Sequence, residues 1–331
     1  MRRIAVRIVL ILAAVIALLA GALIWFSAAF DRPGPLADGV TLVIPRGAGV
    51  DEIARLLQRK GVIANPLLFS VGVRLNRSET VLRAGEYAFN AAVSPREVME
   101  LLLSGKTVVR RLTLPEGLTT AEALALIEGT EGLLGEITSP PGEGALLPDT
   151  YHFSYGDSRE GLVERMRRAM ARTLEELWAG RDPDLPVDSP REVLILASMV
   201  EKETALRHER GLIAAVFLNR LRRGMRLQSD PTVAYGLAAQ GSVPEPLSKR
   251  PLSRKDLAKP TPFNTYLIEG LPPAPIANPG RAAIAAVVNP APSDVRYFVA
   301  DGTGGHAFAR TLAEHNRNVA KWRRIQRQGQ P

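Results

Sequence analysis

The chain has 331 residues, 46% hydrophobic and 23% charged, which is enough for about two domains and excludes a mainly disordered polymer. Cysteine is absent, so disulfides, thiolate zinc sites, iron–sulfur clusters and a Cys nucleophile are excluded; the four histidines (His152, His208, His306, His315) lack a His partner at metal-ligand spacing. Lys and Arg number 42 against 34 Asp and Glu, a net +8 that suits nucleic acid, anionic lipid or an acidic polymer, while 5% aromatic content argues against a broad stacking platform for bases or sugars.

The first element is apolar throughout. Ile8 to Phe30 carries no charge. As a helix it would be roughly 35 Å long, enough for a bilayer core of about 30 Å with some tilt. Arg2, Arg3 and Arg7 precede it, and Trp25 and Phe26 lie near its far end. The positive-inside rule then puts the N-terminus in the cytoplasm and everything after Asp31 outside. Ser27-Ala28-Ala29 offers small residues for signal cleavage, but a signal h-region is only ~7–15 residues long. The reading is an uncleaved single-pass anchor in residues 1–30 with one large exported body. Without the anchor arginines the net charge is about +5, and nucleic acid is not expected as a partner outside the membrane. Arg32-Pro33-Gly34-Pro35 makes residues 31–39 a short stiff linker.

Next come Leu42-Val43-Ile44 as a strand, Pro45-Arg46-Gly47 as a turn, and a helix with apolar Ile53, Ala54, Leu56 and Leu57 that stops at Gly61. The same pattern returns at Leu112-Thr113-Leu114, Pro115-Glu116-Gly117 and Thr119 onward, a weak repeat in which Pro45, Gly47 and Glu52 correspond to Pro115, Gly117 and Glu122. Between the copies, Leu82 to Phe89 reads as a turn feeding a strand. Ser94-Pro95-Arg96-Glu97 is a capping box that opens a helix ending near Ser104. Residues 40–110 thus lay out a small α+β module, which resembles the LysM-like module that binds glycan in bacterial wall proteins; a plain spacer fits as well. Residues 111–188 read as a second small α+β module and connection.

Residues 189–331 read as the main domain. Ser189-Pro190-Arg191-Glu192 is another capping box, opening a mostly buried helix through Val193, Leu194, Ile195, Leu196, Ala197, Met199 and Val200. Glu201 lies on the face of Leu194 and Ala197, so it would sit at the mouth of a dry pocket. There burial would raise its pKa and suit it to general acid work. A salt-bridged helix-end glutamate is the bland alternative. Glu203, rotated by about 200°, is expected to face solvent or to pair with Lys202, Arg207 or Arg210. A further helix runs from about His208 to Arg223. Polar, Pro-marked loops follow, around Gln228-Ser229-Asp230-Pro231-Thr232, Thr261 to Tyr266 and Gly270 to Gly280, and suit a cleft lined by amides and hydroxyls. A helix from Arg281 to Val288 and a strand from Val295 to Ala300 come next. Asp301-Gly302-Thr303-Gly304-Gly305 lacks a Gly-Lys-Ser/Thr, so it reads as a hairpin turn and not a phosphate loop.

The segments Ala197 to Thr204, Phe217 to Leu221, Gln228 to Val233, Asn264-Thr265-Tyr266, Gly270 to Pro273, Phe298 to Gly302 and Gly305-His306, with Leu147 to Tyr151 earlier, occur together and in order. In these the chain resembles the MltG/YceG family of membrane-anchored endolytic murein transglycosylases. The resemblance implies a mixed α+β catalytic domain behind a LysM-like module, in the inner (plasma) membrane with its body outside the cytoplasm. It implies cleavage of the β-1,4 bond between N-acetylmuramic acid and N-acetylglucosamine without water, leaving a 1,6-anhydro end. The family's catalytic glutamate falls on Glu201. Asn219, Gln228, Ser229, Asp230, Tyr235, Asn264, Tyr266 and His306 are the candidates for lining the cleft. Leu146 stands where the family pattern has an aromatic residue, which touches one sugar contact. Neither metal nor cofactor is called for. Peptidoglycan strands and, through the family's association with wall synthesis, synthetic enzymes are the implied partners. The rival readings are a muramidase-type hydrolase, with Glu203 or Asp230 as the base for water, and a non-enzymatic wall-binding scaffold.

Overall fold

The computed structural model describes residues 2–76, 82–241 and 252–328. It is a mixed α+β chain of two compact units, one comprising Met1–Arg110 with His152–Asp157 and the other Arg111–Tyr151 with Ser158–Pro331.

In the first unit, helix α1 (Arg2–Asp31) is long and apolar enough to cross a membrane. Strand β1 (Val40–Ile44) pairs antiparallel with β2 (Gly85–Phe89), Val40 opposite Phe89 and Ile44 opposite Gly85. Helices α2 (Val50–Arg59), α3 (Pro66–Leu75) and α4 (Pro95–Ser104) share one core with the sheet, α4 packing on β2. Ile44, Ile53, Leu57, Phe69, Tyr87, Phe89, Val98 and Leu102 fill the core, each buried side chain worth about 1.5–3 kcal/mol of transfer free energy. The capping box of α4 is complete, and Gly105 closes the helix in the left-handed region at φ 66°. Residues 31–39 are not a free linker. Phe30 is 1% exposed in this core, Gly34 N–H donates to the carbonyls of Ala92 and Val93, and Ala92 N–H donates to Leu36. A rigid Pro-Gly-Pro segment satisfies its polar backbone by docking here.

Strands β3 (Val109–Thr113) and β4 (Thr150–Ser154) pair with each other. The repeat seen in the sequence survives in the backbone, since Gly47 and Gly117 both end their turns at φ 79°. Helix α5 (Thr120–Glu128) carries a complete capping box from Thr119 and Glu122.

The second unit packs around α7 (Pro190–Glu203), whose Val193, Leu196, Ala197, Met199 and Val200 are fully buried. Helices α6 (Arg159–Ala179), α8 (Arg210–Arg222) and α11 (Arg281–Val288) surround it. Helix α9 (Asp230–Ala239), the short α10 (Arg254–Leu257), the hairpin β5 (Tyr297–Ala300) with β6 (His306–Ala309), and α12 (Leu312–Gln328) complete it. Residues 111–151 and 158–188, read from sequence as a module of their own, group with the residues that follow. The cap of α7 is half a capping box: Ser189 Oγ accepts from Glu192 N–H, but the Glu192 carboxylate takes the N–H of Asp188.

Candidate active site

Helix α7 carries two carboxylates in its last turn. At ~100° per residue they point about 200° apart. Because α7 is buried almost all round, both directions lead into protein. Glu201 turns toward α8: its Oε1 accepts from Arg210 Nη2 at 2.7 Å, with both side chains 5% exposed. Its Oε2 accepts the backbone N–H of Gly280 at 2.9 Å. Burial pushes the Glu201 carboxyl above the usual range, against the pull of the Gly280 N–H and the Arg210 charge. Arg210 Nη2 also donates to Glu116 at 2.8 Å, while its buried Nε and Nη1 have no partner among the described residues. Both Glu201 oxygens are therefore engaged.

Glu203 does not pair with Lys202, Arg207 or Arg210, and it is half-buried rather than held out in open solvent. Its Oε1 accepts from Ser229 Oγ at 2.5 Å. Lys202 donates instead to the Gly117 carbonyl, and Arg210 is taken by Glu201 and Glu116. About 200° round from Glu201, the far face of α7 meets the 228–230 segment through Ser229. Burial raises the Glu203 carboxyl to about 7; the Ser229 hydrogen bond opposes this, the Asp230 charge adds to it, and the charges of His306 and Arg220 oppose it.

Glu203 opens on a cleft of about 390 Å³ whose walls include Arg220, Gln228, Asp230, Tyr266, Phe298 and His306. It also lines a cavity of about 510 Å³ whose walls include Glu116, Glu201, Lys202, Thr204 and Arg210. Glu203 lines both; Glu201 lines the second only.

The neighbours of Glu203 are held firmly. Ser229, 1% exposed, is the N-cap residue of α9, and its N–H donates to Thr265 Oγ1 at 2.9 Å. Gln228 sits at φ 53°, a left-handed backbone rare for a residue with a side chain, and its N–H donates to the Thr265 carbonyl. Tyr266 Oη donates to Asp230 Oδ1 at 2.6 Å, and burial pushes the phenol up. Arg220, 7% exposed, donates to the carbonyls of Leu227 and Arg296, tying the 226–228 segment to the start of the β5–β6 hairpin. Glu209 accepts both the backbone N–H of His306, at 2.8 Å, and its Nδ1, at 2.7 Å, and also the Thr204 hydroxyl. Burial works against the Glu209 charge, but the hydrogen bonds from His306 and Thr204 outweigh it and hold this carboxyl below the usual range. A carboxylate acceptor assigns the proton to His306 Nδ1 and leaves Nε2 for the cleft.

Of the residues expected at the cleft, Gln228, Asp230, Tyr266 and His306 line it and Ser229 touches the acid. Asn219, Asn264 and Tyr235 do not line it. Asn219 Nδ2 donates to the carbonyls of Ser293 and Val295; Asn264, fully buried, donates to those of Leu257 and Lys259; Tyr235 Oη donates to Glu143 and its ring meets Phe263 edge-on. An amide that could bind a sugar is equally able to satisfy loop carbonyls. Leu146 is 0% exposed and packs in the interior. Sequence reasoning offers Glu203 only as a water-activating base of a muramidase, and it misses Arg220 and Phe298 as cleft groups and Glu209 as the partner of His306. Among the described residues, no group of three or more His, Asp or Glu is placed to hold a metal ion.

Fold and site together define a mixed α+β protein whose central helix ends in two carboxyls raised by burial, of which Glu203 opens on the cleft. The family model described as YceG-like family matches residues 42–321, and the chain belongs to that family. It is 32% identical over 326 residues to a Streptococcus pneumoniae protein named endolytic murein transglycosylase, covering 85% of this chain and 58% of that protein, so it spans little more than half of that relative. A Bacillus subtilis protein of the same name is 29% identical over 315 residues, covering 86% of this chain and 84% of that one. The crystal structure of a yceG-like protein from Listeria monocytogenes matches with a TM-score of 0.52 and 31% identity, covering 85% of this chain and 98% of that one.

Proposed function

We propose that this protein is a peptidoglycan lytic transglycosylase whose acid–base residue is Glu203. The observation that carries the proposal is the carboxyl of Glu203, raised to about 7 and shared by two cavities. A group of this kind is roughly half protonated at neutral pH, so it can give a proton and take one back within a single turnover. Glu201, to which the resemblance pointed, is two residues away, but both its oxygens are bound to Arg210 and Gly280. The relatives' name supplies the substrate class, and the two cavities meeting at Glu203 suit a polymer lying across the acid.

In this mechanism Glu203 protonates the oxygen of the β-1,4 bond leaving the muramyl C1. The resulting carboxylate takes the proton of the same sugar's C6 hydroxyl, whose oxygen closes on C1. The products are a shortened strand with a free 4-hydroxyl and a 1,6-anhydro-muramyl end, and no water is consumed. Ser229 holds Oε1 and leaves Oε2 for substrate. Glu209 fixes the His306 ring, and Arg220 braces the wall that carries Gln228. Hydrolysis of the muramidase kind would need a second carboxylate free to activate water. Asp230 is the nearby choice, and its Oδ1 is held by Tyr266.

The anchor reading of α1 belongs to the same proposal, with the N-terminus cytoplasmic and the catalytic unit outside, where nascent glycan is made. Strand termination beside synthetic enzymes is the role that this placement suits. The LysM-like reading of residues 40–110 rests on their layout of two strands and three helices. Digestion of purified glycan strands, with mass analysis of the new ends, tests the chemistry. Anhydro ends are expected; reducing ends would turn the reading to a hydrolase, and intact strands to a scaffold.

A further inference from the structure

Helix α3 buries one side and leaves a stripe of large apolar residues outside. Leu67 is 74% exposed, Val71 42% and Leu75 62%. Their spacing of four places them on one face. The core already has its share of this helix, in Phe69, Gly72 and Val73, so the stripe is surplus to folding.

The side of α3 next to this stripe faces the apolar helix α1. Gly72 lies so close to the Phe30 ring that a Cβ on it would collide with Phe30 Cε2. At ~100° per residue Leu75 is only about 60° round the helix from Gly72, with Val71 and Leu67 continuing the same arc. The polar flank is on the stripe's other side, where Arg74 pairs with Asp51 at 2.8 Å.

The length of α1 places this contact relative to a bilayer. Its side chains from Ile8 to Trp25 are largely exposed, whereas Phe26 and Phe30 pack against the core of the first unit. Ile8 to Trp25 spans about 26 Å at ~1.5 Å per residue, short of a hydrocarbon core of about 30 Å. The apolar layer therefore reaches past Trp25, toward the level at which α1 meets α3.

We propose that the Leu67–Val71–Leu75 face of α3 is a second membrane contact, lying in the interface of the lipid leaflet at which α1 emerges. It rests on the reading of α1 as the anchor. With α1 docked on the first unit through Phe26 and Phe30, a second attachment on α3 fixes which side of that unit meets the bilayer. The continuity of the stripe with α1 favours lipid over a protein partner.

The chain has no cysteine, so single cysteines can be labelled in the full-length protein without background. Ile16→Cys, Val71→Cys and, as a control on the charged face of α2, Arg55→Cys would each carry an environment-sensitive fluorophore in nanodiscs of phosphatidylethanolamine and phosphatidylglycerol. The quenchers are a nitroxide held near the headgroup end of the acyl chain and aqueous iodide. Lipid-borne quenching at both Ile16 and Val71, with iodide quenching at Val71 severalfold below that at Arg55, is the expected result. Lipid quenching at Ile16 alone, with Val71 as open to iodide as Arg55, overturns the second contact and leaves the anchor standing. A Val71 label shielded from iodide but untouched by the lipid nitroxide also overturns it, because protein then covers the stripe. No lipid quenching at Ile16 removes the anchor itself, and the proposal with it.

Discussion

Replacing Ser229 with alanine should move the alkaline limb of the pH–activity profile upward. The Ser229 hydroxyl donates to Glu203 at 2.5 Å and favours the charged carboxylate, so its loss makes Glu203 hold its proton more tightly. A hydrogen bond to a charged group is worth about 1.5–3 kcal/mol, and about 1.4 kcal/mol corresponds to one pH unit. The limb, set near 7 by the buried carboxyl, should therefore rise by roughly 1–2 units. Asp230→Asn should move it the other way, because the Asp230 charge helps to keep the Glu203 proton in place. The assay is kcat/KM for release of anhydro-muropeptides from purified glycan, followed by chromatography from acid to alkaline pH. Limbs that coincide in all three proteins, or shifts of the same sign in both variants, would refute Glu203 as the titrating acid.

Glu203→Gln should alter stability in a pH-dependent way. A carboxyl raised to about 7 in the folded chain contributes stability that is present below ~4.5 and lost as pH rises through ~7, up to about 3 kcal/mol. Urea unfolding followed by tryptophan fluorescence should thus show the variant gaining on the wild type as pH rises and matching it in acid; a gap independent of pH would contradict this. Glu201→Gln should cost about 1–3 kcal/mol at neutral pH, since it removes one of the two carboxylates that share the buried Arg210 guanidinium. A variant as stable as the wild type in the same unfolding measurement would contradict it. Ser94→Ala and Thr119→Ala, which remove the capping hydroxyls of α4 and α5, should each cost about 1 kcal/mol. Thermal shifts of the two variants check this, and an unchanged midpoint would count against the caps.

Local chemistry was the most legible part of the fold. The Ser94 box, the stop at Gly105 and the two Pro-X-Gly turns follow from side-chain capping and left-handed backbone, and all need only a few adjacent residues. Helix α9 was harder, because Gln228-Ser229-Asp230-Pro231-Thr232 has the polarity of a loop. Pro231 in its first turn was the overlooked start signal. Helix α6 went unread although Leu162, Val163, Met166 and Met170 are spaced for one buried face. At the site, motif order brought the 228–230 segment, Tyr266 and His306 to one place. What sequence could not resolve was which of two carboxylates, both ending the same helix, meets them. That depends on what covers each face of α7, and the covering groups, Arg210 and Gly280 for Glu201 and Ser229 for Glu203, come from three separate segments. The same limit applies to Asn219 and Asn264, whose amides were claimed by loop carbonyls that no spacing rule reveals.

The central claim is that Glu203 and not Glu201 performs the chemistry. Digestion of purified glycan by the full-length protein and by Glu203→Gln and Glu201→Gln, with mass analysis of strand ends, tests it most directly. The account predicts no anhydro ends from folded Glu203→Gln, and anhydro ends still formed by Glu201→Gln despite its lower stability. Anhydro ends from Glu203→Gln at the wild-type rate, or their loss only in a folded Glu201→Gln, would contradict it.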